Sequence, residues 1–162
     1  MTDYHVYTGE YGKYDFCNED YIYAILERCL DNFWVSSIEA RGECPEYKST
    51  RHMMEWLANH FEDESNLILA YAPYYNEIGL SVEKLMDDLP YKALKIIPGL
   101  NYWDLEDNKM LSTGHSLFGY AEENDIPIFV NTNDNKYENS SATRFEKFFR
   151  QYPNVKVIFR RR

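Results

Sequence analysis

Apolar and polar positions alternate along this chain in two rhythms. Short apolar runs of strand length are separated by stretches whose apolar residues recur at three-and-four spacing, the period of an amphipathic helix. The strand-length runs fall at residues 4–7, 33–38, 66–72, 93–97, 127–130 and 155–159. The run Leu67-Ile68-Leu69-Ala70-Tyr71-Ala72 carries no charge and ends at Pro73. It predicts a strand covered on both faces, stopped by a residue that cannot donate to a ladder. Asn18 heads a predicted helix over 18–30, with Ile22, Ile25, Leu26 and Cys29 on one face. Ser49 heads a second, with Met53, Trp56, Leu57, His60 and Phe61 sharing a face. Ser81 opens a short helix that Pro90 stops, and Ser112 or Thr113 opens the next, which buries Leu117, Phe118 and Ala121. Ser140 or Ser141 caps the last, with Phe145, Phe148, Phe149 and Tyr152 at helical spacing before Pro153.

Six strands joined by five helices, at a repeat of about 30 residues, match the size of βαβ units. They predict an α/β fold with a parallel sheet and a single domain over 1–162. Periodicity leaves open whether the sheet is open or part of a barrel. In either case the working edge lies at the carboxyl ends of the strands.

Charge narrows the partners. The 162 residues carry 17 basic and 27 acidic side chains, a formal charge of -10. Polyanions are repelled by such a surface, so neither nucleic acid nor an anionic membrane is an expected partner. No apolar run approaches the roughly 20 residues of a membrane span. Met1-Thr2-Asp3-Tyr4 has neither the basic start nor the apolar run of a secretory leader, and the expected compartment is the cytoplasm. Cys17, Cys29 and Cys44 are odd in number and widely spaced, so neither a disulfide framework nor a cysteine zinc site is expected.

The strand ends offer the candidate chemistry. His5 and Tyr7 lie two apart on the first strand, which predicts a common face. The fourth strand offers Lys95, the fifth Asn131, and the sixth Arg160 or Arg161. His52, His60 and His115 are expected to be structural, since no H-E-x-x-H spacing joins them. There is no nucleophile elbow, Walker loop or G-x-G-x-x-G. Asn139-Ser140-Ser141 matches a glycosylation acceptor but is expected to act as a helix cap.

The opening Asp3-Tyr4-His5-Val6-Tyr7-Thr8-Gly9 resembles the D-x-H-x-H first strand of the amidohydrolase-related family of metal-dependent hydrolases. Tyr91-Lys92-Ala93-Leu94-Lys95-Ile96-Ile97-Pro98 looks like that family's fourth strand. The stretches 120–132 and 148–158 look like its helices running into the fifth and sixth strands. The resemblance implies a partial (β/α)8 TIM-barrel-like fold of six parallel strands alternating with helices, without counterparts of the last two. It also implies a divalent metal, zinc, held by two histidines on the first strand and one each at the fifth and sixth. Here those positions read His5, Tyr7, Asn131 and Arg161, and the family's last-strand aspartate has no counterpart. An amide is a poor zinc ligand, and a guanidinium at a ligand position repels a divalent cation.

Two readings follow. One is a hydrolase acting on a small carboxylated or cyclic substrate. In it His5 is the acid or base and the family's metal ligand, Asn131 a hydrogen-bond donor, Tyr7 a substrate contact, and Lys95 and Arg161 the carboxylate anchors. The other is a non-catalytic relic of the family that binds a ligand or has no role. Unpaired strand edges on either reading point to a homo-oligomer.

Overall fold

The computed structural model describes residues 2–8, 10–11, 14–15, 23–24, 27–28, 31–37, 50–73, 81–98, 104–132 and 141–161. The predicted helix over 18–30, the caps Ser49 and Ser140, and the three cysteines lie wholly or mostly outside those residues.

In chain order the strands are β1 (Thr2–Thr8), β2 (Glu10–Tyr11), β3 (Tyr14–Asp15), β4 (Asn32–Ser37), β5 (Leu67–Tyr71), β6 (Ala93–Ile96), β7 (Ile128–Thr132) and β8 (Val157–Arg161). The helices are α1 (Thr50–His60), α2 (Val82–Asp87), α3 (Asn108–Glu123) and α4 (Glu146–Gln151), the last preceded by a 3-10 turn, Ala142–Phe145. Strands β4 to β8 lie in chain order in an all-parallel sheet curled as a half-barrel. β1 runs parallel to β4 along the outer edge, with a register shift between Asp3 and Val6. The small antiparallel pair β2–β3 was not foreseen from the pattern.

One side of the sheet carries Phe33, Val35, Leu69, Tyr71, Leu94, Ile96, Ile128 and Val130. They pack with Met54 and Leu57 of α1, Val82 and Met86 of α2, Leu117, Phe118 and Ala121 of α3, and Phe145 and Phe148. The alternate residues Ala70, Ala93 and Phe129 are also buried, with Trp34 packed against them. Burial on both faces is why these strands read as continuous apolar runs.

Two helices depart from expectation. Helix α3 begins at Asn108, not after Ser112, because Asp107 Oδ1 accepts from Lys109 N at 2.9 Å and Met110 N at 3.1 Å. This cap satisfies two of the orphan donors at a helix start. On α1 Met54 and Leu57 are buried, followed by Phe61, whereas His60, predicted on the same face as Leu57, is exposed and its Nδ1 lies 3.1 Å from Trp56 O. Ser81 caps α2 as expected, its Oγ accepting from Lys84 N. Ser141 stands at the predicted cap of the last helical segment, but its Oγ bonds Thr143 Oγ1 at 2.8 Å and no backbone group.

Candidate functional site

The site is built on the side of the sheet away from the helices. Register pairs Tyr7 with Ser36, Ala70 with Ala93, Lys95 with Phe129, and Asn131 with Arg160. Strand alternation puts all these positions on one face. Tyr7, Ser36, Lys95, Asn131 and Arg160 are each the penultimate residue of their strand. A row of polar residue types therefore crosses the sheet at its carboxyl edge, interrupted only at β5 by Ala70. Below the row lies an apolar floor of Trp34, Ala70, Ala93 and Phe129. A few polar groups over an apolar floor is the usual composition of a small-molecule site.

Lys95 has no solvent exposure. An ammonium so deeply buried is held by polar or anionic company, and Lys95 has interactions of that sort or ring contacts around it. Asn131 is half-buried, with its Oδ1 shielded from solvent. Ser36 is fully buried, and among the described residues its Oγ makes no hydrogen bond. A hydroxyl in that state is rare in folded proteins and marks a place where a hydrogen bond is owed.

The structure brings Lys95 and Asn131 together on one face, with Tyr7 on the same face at β1. Of the two arginines, position 160 pairs with Asn131 and shares this face. Position 161, the one assigned to the site from the sequence, pairs with Thr132, one residue further along β7. His5 falls inside the register shift between Asp3 and Val6, so simple alternation with Tyr7 does not assign its face. Ser36 was missed by sequence reasoning, although a serine directly after the apolar run Phe33-Trp34-Val35 was a usable signal.

Zinc fits this row poorly. Its five residue types are a phenol, an alcohol, an amine, an amide and a guanidinium, with neither imidazole nor carboxylate among them, and a lysine on the same face opposes a divalent cation. Among the described residues no three His, Cys, Asp or Glu side chains cluster. His115 is structural, with its Nδ1 3.3 Å from Tyr152 Oη and its ring edge-on to Phe148 at 4.8 Å. Among the described residues no helix is long and apolar enough to cross a membrane. No protein-family model, no curated protein and no solved structure matches this chain.

Proposed function

We propose that this protein is a hydrolase-like protein of the amidohydrolase-related kind, with the half-barrel as part of a TIM-barrel-like fold. It binds a small carboxylated or cyclic molecule at the carboxyl edge of its sheet. The observation that carries this reading is the row of penultimate polar positions over an apolar floor, with Lys95 fully buried at its centre. In α/β sheets of this kind ligands sit beyond the carboxyl ends of the strands. Lys95 and Arg160 anchor the carboxylate, Ser36 and Asn131 donate or accept hydrogen bonds, and His5 serves as acid or base. A charge-assisted pair formed in such a dry setting is stronger than one in water.

Titration calorimetry of the full chain with small monocarboxylates and cyclic amides tests the binding. A bound carboxylate is expected to lose at least tenfold in affinity in Lys95→Met and in Arg160→Gln, and little in Arg161→Gln. Equal affinity in Lys95→Met would remove the anchor. Turnover of a cyclic amide, followed by NMR and lost in His5→Ala, separates the hydrolase from a second reading. That second reading is a binding protein without catalysis, favoured by Tyr7 and Asn131 standing where the resemblance expects histidines.

A further inference from the structure

At the opposite edge of the sheet a cavity of about 290 Å³ opens between the end of α1 and the amino ends of β5 and β6. Its floor is apolar, with partly exposed Leu67, Ile68 and Pro90 over the buried Leu57 and Phe61. Leu57 and Phe61 belong to the main core, so the fold itself holds this floor in place. Its rim carries Glu62, Glu64 and Lys92. Among the described residues none of these three forms an ion pair. The rim backbone is fixed: Glu64 N donates to Phe61 O at 3.1 Å, Leu67 N to Glu64 O at 3.0 Å, and Lys92 N to Leu69 O at 3.0 Å.

The volume limits the occupant. Small-molecule sites run from roughly 300 to 1,000 Å³, so this one takes something of amino-acid size. The floor gains by covering an aliphatic group. The rim offers two carboxylates for an ammonium and one lysine for a carboxylate, and these charges are not spent on each other. A ligand with an apolar body and both charges at one end meets all three demands. A purely cationic ligand would leave Lys92 unanswered, and a purely anionic one would meet two like charges.

We infer that this cavity is a second binding site, for a free amino acid with an aliphatic side chain. Its ammonium lies toward Glu62 and Glu64, its carboxylate toward Lys92, and its side chain on Leu67, Ile68 and Pro90. The site does not depend on the carboxyl-edge row, and its ligand need not be the molecule bound there.

The probes are L-leucine, L-leucinamide, which lacks the carboxylate, and 4-methylpentanoate, which lacks the amine. Each is titrated into the full chain by calorimetry, and each is tested for a rise in melting temperature, since a ligand specific to the folded form stabilises it. Leucine is expected to bind at least tenfold more tightly than either analogue. Lys92→Met should bring leucine down to the level of leucinamide, and Glu62→Gln with Glu64→Gln to the level of the acid. Ala58→Trp, at a half-buried position lining the cavity, should abolish binding by filling it. No heat and no melting shift with leucine at its solubility limit would overturn the assignment. So would leucine binding unchanged in Lys92→Met and the double glutamine variant, which change exposed or half-buried side chains and are independent of how well Ala58→Trp folds.

Discussion

The rings of Trp34 and Phe129 stand 5.2 Å apart, although β5 and β6 run between their strands. In a flat sheet, strands about 4.8 Å apart would separate β4 from β7 by roughly 14 Å. The sheet curls, and Ala70 and Ala93 on the intervening strands leave space above themselves for the two rings to meet. The two alanines thus determine the depth of the candidate site's floor.

Ala93→Leu is expected to wedge this contact apart, because Ala93 has no solvent exposure and its neighbours are packed. Overfilling a packed core costs about 1–3 kcal/mol. Urea unfolding should show a lower midpoint at an unchanged slope. A fall in near-ultraviolet circular dichroism should accompany it as the Trp34 environment loosens. An unchanged midpoint would mean that the floor is not packed as described.

Gly114 on α3 is a second tight approach. A Cβ there would lie 2.6 Å from Phe148 Cζ and 3.0 Å from Cε1. Phe148 cannot easily retreat, since it stacks on Phe118 at 4.8 Å with an interplanar angle of 11°. In an exposed helix Gly→Ala stabilises by about 1 kcal/mol. Here the clash is expected to win, for a net loss of about 1–2 kcal/mol by the cost of overpacking. Phe148→Leu in the Gly114→Ala background should recover part of that loss in a double-mutant cycle.

The cap of α3 offers a smaller test. Asp107→Ala removes the acceptor for two backbone amides and should cost about 1 kcal/mol, while Asp107→Asn should cost less because it also caps well. Equal stability of Ala and Asn would mean that solvent replaces the cap at no cost.

Alkaline pH tests the packing of α3 and α4. Burial pushes the Tyr152 phenol above its usual range, and the charge of Glu122 adds to this. Burial also raises Tyr120, helped by Asp87 and then Glu83. A phenol whose folded pKa is raised contributes stability that is fully present below the unfolded value of about 10. That contribution is lost as pH rises through the higher folded value. Stability should therefore decline from about pH 10 upward, less so in Tyr152→Phe. Absorbance at 295 nm should show a fraction of the phenols titrating late. A chain whose stability is flat over this window would contradict the shift.

Much of the fold was legible in the sequence, because burial on both faces leaves uninterrupted apolar runs and the 3.6 period marks the helices between them. Strands β4 to β8, the Ser81 cap and the buried faces of Leu117, Phe118 and Ala121 follow from that local pattern. The helix start at Asp107 did not stand out, since aspartate is as common in loops as at caps and only its bonds to Lys109 and Met110 decide. Polar residues at strand ends, Lys95 and Asn131 among them, stand out in the sequence, but their placement relative to one another does not. Side chains alternate with period two, so the choice between Arg160 and Arg161 is a choice of strand face, and the local pattern does not carry the pairing of position 160 with Asn131 and of 161 with Thr132. Composition says that a lysine is present in an apolar strand. Only the tertiary structure decides that Lys95 is wholly enclosed and that the curl of the sheet brings Trp34 of β4 against Phe129 of β7, because both depend on strands far apart in the chain.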